Sequence, residues 1–295
     1  MEIHFEIDNR CLLNCRHCSS MASKTGDKMQ YSEEILSEFL KNIQEEKEVF
    51  LTGGEPLLYP GLDTLLKKLK DENTNLTLGL FTTGIMMESS RPSAISREYA
   101  KRLADCGLRV CYLSLYGYQE QEHDWMTRLK GSFKMLSESV NHLQVAGIEI
   151  RFNCVVTRKN HLFFDKIIEL AKNMGAAEVR ILKLIQHGRA CEHWKELGIA
   201  NEEYRAIVLR LIEKEKAVRI TASGVIDILP CRYLYSVLSC PAGNQLLYIT
   251  NDGKVFPCAS VKNNKDDCIG NINDVDIYER WNHYKENIGK KTLCK

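Results

Sequence analysis

Six short apolar segments with the character of strands alternate with longer segments whose apolar residues recur at helical spacing. The predicted strands cover residues 3–7, 49–51, 76–82, 110–115, 148–156 and 179–184. The predicted helices between them cover residues 32–43, 62–69, 95–106, 133–145 and 163–174. Ser32-Glu33-Glu34, at the start of the first of these helices, is typical of an N-terminal cap. Regular alternation of strand and helix favours a largely parallel sheet with helices packed against it.

Six βα units are too few for a closed eight-unit barrel. The sequence therefore predicts an α/β fold in which residues 1–216 form a partial, open (β/α)6 barrel. Ligands of parallel α/β sheets collect at the carboxyl ends of the strands. The motifs of this part of the chain all fall at the ends of predicted strands, which points to a single site at that edge of the sheet.

The pattern changes after Arg189. A helix is predicted over residues 202–216, a hairpin over residues 246–256 and a last helix over residues 277–286. Asp252-Gly253 lies between the two apolar runs of the hairpin and is typical of a tight turn. These elements predict a smaller C-terminal module over residues 217–295.

Composition narrows the class of protein. The 295 residues carry 40 Lys and Arg against 39 Asp and Glu, so no broad basic surface points to a nucleic-acid partner. No apolar run has the length of a membrane span, and the first residues lack the features of a signal peptide. We therefore expect a cytoplasmic protein, with neither a nucleic acid nor a membrane as partner.

The chain has 12 cysteines, which are hard to explain as disulfides in a reducing compartment. Three stand together near the N-terminus, and five lie in the last 65 residues: Cys231, Cys240, Cys258, Cys268 and Cys294. The others are scattered, and Cys106, Cys111 and Cys154 fall in apolar patterns typical of packing. The concentration of cysteines near the two ends of the chain predicts two metal sites.

The N-terminal group is Cys11-Leu-Leu-Asn-Cys15-Arg-His-Cys18, which follows the first predicted strand. Its spacing differs from the paired knuckles of structural zinc sites. Three thiolates also leave one iron of a four-iron cluster without a protein ligand, which is a catalytic arrangement. The alternative is a three-cysteine zinc loop completed by His17 or His4.

Cys-x3-Cys-x2-Cys after a first strand resembles the radical S-adenosylmethionine superfamily. The resemblance implies that S-adenosylmethionine chelates the open iron of a 4Fe–4S cluster held by Cys11, Cys15 and Cys18. Reductive cleavage of this cofactor yields a 5′-deoxyadenosyl radical, which abstracts a hydrogen atom from the substrate. An electron donor such as flavodoxin or ferredoxin is implied as a partner.

Further motifs follow in the family's order. Thr52-Gly53-Gly54-Glu55-Pro56 resembles the family's GGE motif, in which glycines permit close backbone approach and the glutamate accepts the cofactor's ammonium. Ser114-Leu-Tyr-Gly117, His123-Asp124 and Gly131-Ser132-Phe133 resemble the branch that modifies peptides and small molecules. The cofactor-binding residues implied by the resemblance are His17, Gly53, Gly54, Glu55, Thr83, Ser114, Asn153 and Arg189.

Some of these residues have structural alternatives. Ser114 and Asn153 could be ordinary strand polar residues satisfied by backbone. His123-Asp124 could simply cap the following helix. At position 17 the family usually has an aromatic residue, and a histidine can still stack on adenine.

The C-terminal module resembles the SPASM/twitch extension of radical enzymes, which holds auxiliary iron–sulfur clusters. The signature consists of Cys240-Pro-Ala-Gly243, the hairpin, Pro257-Cys258 and Ile269-Gly270-Asn271-Ile272. It implies an auxiliary 4Fe–4S cluster of the single-cluster twitch type. The implied ligands are Cys240, Cys258 and Cys294, with Cys268 and Cys231 competing for the fourth position. The alternative is that these thiols are unligated.

The resemblance leaves the substrate open. A ribosomally made peptide is one expectation, with epimerisation or thioether or cross-link formation as the reaction; relatives of this size also act on sugars, cyclitols and aminoglycosides. Many peptide-modifying relatives carry an N-terminal leader-binding domain, and we expect none here, because the cysteine loop begins at residue 11. If Cys231, Cys268 or Cys191 is not a ligand, it could donate hydrogen in an epimerisation. A non-catalytic iron–sulfur scaffold or redox sensor is the alternative of another class.

Overall fold

The computed structural model describes residues 1–223 and 241–287, in which ten strands form one sheet and two more form a separate hairpin. The strands are β1 (Glu2–Asp8), β2 (Lys47–Gly53), β3 (Leu76–Thr82), β4 (Ile85–Glu88), β5 (Arg91–Ala94), β6 (Leu108–Ser114), β7 (Glu149–Val156), β8 (Glu178–Lys183), β9 (Arg219–Ala222), β10 (Leu246–Ile249), β11 (Lys254–Phe256) and β12 (Gly270–Asn271). The helices are α1 (Glu33–Lys41), α2 (Leu62–Glu72), α3 (Arg97–Asp105), α4 (Glu120–Thr127), α5 (Ser132–Val145), α6 (Phe164–Asn173), α7 (Arg189–Glu192), α8 (Trp194–Leu197), α9 (Asn201–Lys214) and α10 (Ile277–Asn287).

The six strands predicted from the sequence are confirmed and lie side by side in chain order. The sheet runs β1-β2-β3-β6-β7-β8 through its middle, and each of these neighbouring pairs is parallel. The fold is therefore the predicted α/β partial barrel of parallel strands.

Helices cover the outer face of this sheet because their apolar residues recur every three or four positions. In α2 these residues are Leu62, Leu65, Leu66 and Leu69, each at most 1% exposed. The predicted cap of α1 is also present, since the Ser32 side chain accepts a hydrogen bond from the Ile35 amide at 3.3 Å. The sequence thus places the core between the sheet and an outer helical layer.

The sheet curls enough for its first and sixth barrel strands to touch through side chains. Arg180 on β8 donates hydrogen bonds to both carboxylate oxygens of Glu2 on β1, at 2.7 and 2.9 Å. Four strands lie between these two in the sheet. The contact therefore crosses the barrel interior at the amino ends of the strands.

Three strands, β4, β5 and β9, were not predicted from the sequence. The β4–β5 hairpin follows β3, and β9 adds a further parallel strand beside β8. Because β9 pairs with β8, the barrel sheet continues past residue 216, into the segment that was expected to belong to the module.

The C-terminal hairpin is present as predicted, with antiparallel β10 and β11 joined through Asp252 and Gly253. In addition, β10 pairs in parallel with β1, so the module continues the barrel sheet on its other side. Helix α10 packs beneath the hairpin, where the Trp281 indole donates to the Gly243 carbonyl at 2.7 Å. None of the helices in the described ranges is long and apolar enough to cross a membrane.

Candidate functional site

The three N-terminal cysteines lie on the loop that follows β1, here called the cysteine loop (residues 9–22). Its base is closed by hydrogen bonds from the Asn9 amide to the Asp27 carbonyl and from the Cys11 amide to the Ser23 carbonyl, both at 2.8 Å. Cys11 and Cys15 are 6% and 7% exposed, and Cys18 is half-buried. The loop therefore gathers three thiols at the carboxyl end of β1.

One side of the cysteine loop rests on the carboxyl end of α4. The carbonyl of Met126 accepts from the Arg16 amide at 3.0 Å, and that of Thr127 accepts from the Asn14 amide at 3.3 Å. The last carbonyls of a helix have no partner within the helix, so they are free to bind a loop in this way. Asp124 in the same helix caps α5 by accepting from the amide of Phe133 at 2.9 Å, as considered for His123-Asp124, whereas His123 accepts from the Tyr116 amide at 3.3 Å.

The other side of the cysteine loop rests on Gly188 and Arg189, which follow β8. The Arg189 guanidinium donates to the carbonyls of Cys15 and Ala22 at 2.8 and 3.0 Å. A Cβ on Gly188 would lie 2.5 Å from the carbonyl oxygens of Cys18 and Ser19, and Gly188 has a φ of +55°. Only glycine fits between the two segments in this backbone conformation.

The two glycines of the Gly53-Gly54-Glu55 segment also pack against the cysteine loop. A Cβ on Gly54 would lie 2.4 Å from the Arg10 carbonyl oxygen, and one on Gly53 would lie 2.2 Å from the Asp8 carbonyl oxygen. The Gly54 amide donates to that Asp8 carbonyl at 2.7 Å. The two glycines are therefore needed for the backbone of this segment to pack against the backbone of residues 8–10, in addition to any contact with a cofactor.

Glu55 is fully buried and accepts hydrogen bonds from protein groups. One carboxylate oxygen accepts from the Thr82 hydroxyl at 2.5 Å and the Leu57 amide at 3.2 Å. The other accepts from the Thr83 amide and hydroxyl at 2.8 and 2.5 Å. Burial raises the pKa of Glu55 above its ordinary value, although these hydrogen bonds lower it. Glu55 joins the ends of β2 and β3, and its expected contact with an ammonium stays a prediction.

Burial controls the ionisation of the thiols on the cysteine loop. Burial, followed by the charge of Glu55, raises the pKa of Cys11 to about 12. Burial and the two neighbouring cysteines raise the pKa of Cys15 well above its ordinary value. Cys11 and Cys15 are therefore protonated in the metal-free chain, and binding of a metal cluster would release their protons.

A cavity of about 1110 Å³ opens beside the cysteine loop and runs through the barrel interior. Of the residues predicted to bind the cofactor or a cluster, those that line it are Cys11, Cys15, His17, Cys18, Gly53, Gly54, Thr83, Ser114, Asn153, Arg189 and Cys258. The structure therefore brings residues from both ends of the sequence to one cavity, whereas Glu55 lies behind its wall.

Three residues of this wall each have a buried polar atom without a hydrogen-bond partner: His17 Nδ1, Asn153 Oδ1 and Arg189 Nη2. An unsatisfied polar atom that is buried costs free energy, so such atoms are rare unless a ligand pairs with them. All three belong to residues that the sequence predicted as cofactor-binding. This set of polar groups, which combines a cationic donor, an amide oxygen that accepts and an imidazole nitrogen, fits a polar cofactor such as S-adenosylmethionine.

Tyr116 is a wall residue that sequence reasoning did not select, although it lies within the quoted Ser114–Gly117 motif. Its ring contacts the His17 ring edge-on at 4.4 Å and stacks on His123 at 5.4 Å. Its side chain is also hydrogen-bonded to Ser114. Burial, then Arg189 and His123, lower the pKa of His17 to about 4, so its ring is neutral at neutral pH.

The opposite end of the cavity carries charged side chains that form hydrogen bonds and ion pairs with one another. Glu178 accepts from the Tyr112 and Thr221 hydroxyls at 2.8 and 2.6 Å, and Arg180 donates to the Tyr112 hydroxyl at 2.7 Å and to Glu2. These groups already have partners within the protein. They form the floor of the cavity.

The C-terminal cysteines separate into three groups. Cys258 is 8% exposed and lines the cavity together with residues 241–242 and 259–260. Cys231, Cys240 and Cys294 lie outside the described residues. Cys268 and Cys191 do not line the cavity, and their thiols face the carbonyls of Gly270 and Gln186 at 3.4 and 3.1 Å.

Two of the candidate hydrogen donors therefore lie outside the cavity wall: Cys191 is exposed, and Cys268 is half-buried. Their role as donors stays a prediction. Within the described ranges, no three His, Cys, Asp or Glu residues stand close enough to hold a single metal ion, which the zinc alternative would require.

Comparison with known families gives two matches. The model of the radical SAM superfamily matches residues 5–171, and that of the SPASM iron–sulfur cluster-binding domain matches residues 240–293. The first match spans more than half of the chain and contains the cysteine loop and the Gly53-Gly54-Glu55 segment.

Individual relatives are distant. The chain is 23% identical to the AdoMet-dependent heme synthase of Oleidesulfovibrio alaskensis, over 95% of the chain and 74% of that protein. It is 24% identical to the PqqA peptide cyclase of Gluconobacter oxydans, over 96% of the chain and 76% of that protein. The solved structure of Streptococcus suis SuiB bound to precursor peptide SuiA has a TM-score of 0.68 at 14% identity. The match covers 95% of the chain but only 64% of SuiB.

Proposed function

Because the chain belongs to the radical SAM superfamily and carries a SPASM iron–sulfur domain, we propose that it uses S-adenosylmethionine to modify a ribosomally made peptide. The observation that carries the cofactor part of this proposal is the set of three unpaired polar atoms on the cavity wall. They belong to His17, Asn153 and Arg189, residues that line the same cavity as Cys11, Cys15 and Cys18.

In this proposal Cys11, Cys15 and Cys18 hold a 4Fe–4S cluster. When bound, S-adenosylmethionine and this cluster supply the carbon radical that takes a hydrogen atom from the substrate. Arg189 offers Nη2 to an anionic group of the cofactor, and Asn153 offers an acceptor oxygen for a hydroxyl or an amine. His17, packed against Tyr116, provides a flat and neutral surface for the adenine.

Cys258 would hold an auxiliary cluster, together with Cys240, Cys294 and either Cys268 or Cys231. Cys258 is the member of this set whose position supports the assignment, because it is buried and lines the same cavity. A cluster at this position would therefore face the same space as the cofactor.

A peptide substrate is supported by the length of the cavity. Beyond the part that the cofactor and the clusters would fill, the cavity extends to Glu2 and Glu48 at the opposite end from the cysteine loop. An extended peptide segment suits such a space. The peptide cyclase and the SuiB–peptide complex both align with nearly all of the chain. The heme synthase aligns equally well, which makes a small molecule the competing substrate.

The cavity wall favours net oxidation, such as cross-link or thioether formation, over epimerisation. Epimerisation needs a hydrogen donor, and among the described thiols only the proposed ligands Cys11, Cys15, Cys18 and Cys258 line the cavity. Cys231, the third candidate donor, lies outside the described residues.

The cofactor assignment is tested by anaerobic reconstitution, followed by an iron count and by detection of 5′-deoxyadenosine after addition of dithionite and S-adenosylmethionine. Cys15→Ala should lose both the iron of one cluster and the product. Cys191→Ala, which removes an exposed thiol outside the cavity, should retain both. Equal product from the two variants would refute the assignment of Cys15.

The substrate assignment is tested separately by co-producing the enzyme with a short peptide encoded beside its gene. Cross-linking removes two hydrogen atoms from the peptide mass, whereas epimerisation in D2O leaves the bonds intact and introduces deuterium. A peptide recovered without either change, from an enzyme that cleaves S-adenosylmethionine, would overturn the peptide proposal and favour a small-molecule substrate.

A further inference from the structure

A buried polar cluster joins the C-terminal module to the cysteine loop. Its members, here called the junction cluster, are Glu6 on β1, Ser20 in the cysteine loop, Tyr248 on β10 and Lys262 in the module. Lys262 Nζ donates to Ser20 Oγ at 2.7 Å, to the Tyr248 hydroxyl at 3.3 Å and to Glu6 Oε1. The Tyr248 hydroxyl donates to the same Glu6 oxygen at 2.5 Å.

The charged pair in this cluster is almost completely removed from solvent. The side chains of Lys262 and Glu6 are 8% and 4% exposed. The desolvation cost of such a pair can exceed its electrostatic gain, and apolar residues of similar volume often stabilise a fold equally well. Fold stability alone therefore does not account for an ion pair at this position.

The junction cluster is close in sequence to a proposed ligand of each metal site. Ser20 is two residues beyond Cys18, and Lys262 is four residues beyond Cys258. Both cysteines line the cavity. The pKa of Tyr248 is raised well above its ordinary value, by burial and Glu6 first and also by the charge of Cys18, so this cluster and the thiol share one electrostatic environment.

We propose that Lys262 is a positioning residue that fixes the exit of the cysteine loop to the module and sets the electrostatic environment of the cluster held by that loop. The inference rests on the proposed cluster at Cys11, Cys15 and Cys18. Its physical basis is that a buried charge acts through a low dielectric and is only weakly screened. The charges of Lys262 and Glu6 neutralise each other, so removing one of the two leaves the charge of the other uncompensated beside the cysteine loop.

The test is a redox titration of the reconstituted protein followed by electron paramagnetic resonance, using the signal that changes when S-adenosylmethionine is added. Lys262→Met should shift the midpoint potential of this signal to lower values, because the Glu6 carboxylate then keeps its hydrogen bonds but has lost the cation that neutralises its charge. Glu6→Gln should shift it to higher values. The double variant should return towards the wild-type potential, because both charges are gone.

Lys254→Met is the matched control, since it removes a lysine of the same module that is 55% exposed and paired with Asp252. Its potential should equal that of the wild type. Hydrogen exchange of the metal-free chain gives a second readout: Lys262→Met should increase exchange around Ser20 and Tyr248 together, and Lys262→Arg should restore protection.

The proposal is overturned if Glu6→Gln and Lys262→Met fold, bind iron and keep the wild-type potential. If Lys262→Met does not fold, the unchanged potential of Glu6→Gln overturns it alone. Should the wild type itself show no signal that responds to S-adenosylmethionine, the proposed cluster site fails instead, and hydrogen exchange then decides whether Lys262 still couples the module to the loop.

Discussion

Arg180 and Glu2 form a two-bond ion pair between the sixth and first strands of the barrel, with both distances below 3 Å. The pair lies at the amino ends of the strands, whereas the cysteine loop lies at the carboxyl end of β1. Arg180 also covers the ring of Tyr112, with its guanidinium carbon 4.3 Å from the ring centre. The amino end of the open barrel is therefore held together by an ion pair between side chains, whereas the carboxyl end carries the candidate site.

Arg180→Met should lower the free energy of unfolding by about 1.5–3 kcal/mol, because it removes hydrogen bonds to a charged and half-buried partner. Denaturant unfolding of the metal-free chain measures this difference. Arg102→Met serves as control. Arg102 is 61% exposed and pairs with Asp63 on the surface, so its loss should cost at most about 1 kcal/mol. Equal losses for the two variants would argue against a closing role for Arg180.

The same pair predicts a pH dependence. Burial alone would raise the pKa of Glu2, but hydrogen bonds and charges from His4 and Arg180 hold it below its ordinary value of 4.5. A carboxyl group with a lowered pKa contributes stability at neutral pH, and this contribution is lost progressively as the pH falls from about 4.5 towards the lower pKa of the folded state. Unfolding curves of Glu2→Gln should therefore change less between about pH 5 and pH 3 than those of the wild type. If the wild type and Glu2→Gln lose equal stability over this pH range, the lowered pKa of Glu2 is contradicted.

Gly188→Ala should disrupt the cysteine loop. The added methyl group would meet the carbonyl oxygens of Cys18 and Ser19 at 2.5 Å, in a backbone region that L-residues avoid. We expect a several-fold loss of bound iron after reconstitution. Gly147→Ala has a similar φ of +80° with no atom within 4 Å of the new Cβ, so it should cost about 1–2 kcal/mol of stability and leave iron binding intact.

His17→Phe should keep S-adenosylmethionine binding within a few-fold of the wild type, since a phenyl ring can pack against Tyr116 as the imidazole does. His17→Ala should weaken binding more strongly because the flat surface is lost. Equilibrium dialysis of the reconstituted variants compares the two. If His17→Phe binds as weakly as His17→Ala, the unpaired Nδ1 atom matters more than the ring surface.

The barrel strands were predictable because each is a short apolar run between helices with clear 3–4 spacing, as in Leu62–Leu69 of α2. The β4–β5 hairpin was missed because its turn is Ser89-Ser90, both with positive φ, where Asn and Gly are the usual signals. Helix α4 was also missed. Its sequence, Glu120–Thr127, is mostly polar, and its importance comes from carbonyl groups that bind the cysteine loop.

The cysteine loop and the Gly53-Gly54-Glu55 segment were recognisable because spacing along the chain is enough to identify them. The sequence could not indicate which partner each group has. The Glu55 carboxylate is directed towards Thr82 and Thr83, and Arg189 holds the carbonyl of Cys15. Lys262 drew no attention as a single lysine in a polar stretch. Its significance depends on contacts with β1 and the cysteine loop, more than 240 residues away.

The pairing of β10 with β1 has a consequence for biosynthesis. Strand β1 is made before every other described strand of the sheet, but its neighbour β10 is made only after the whole barrel has emerged. Until then this edge of the sheet is exposed, and contacts so distant in sequence form slowly. The cysteine loop begins where β1 ends. Ser20 of this loop can accept its hydrogen bond from Lys262 only after the C-terminal module has been made. Insertion of iron is therefore expected to follow completion of the barrel, and an iron-loaded nascent chain that stops before β10 should not accumulate.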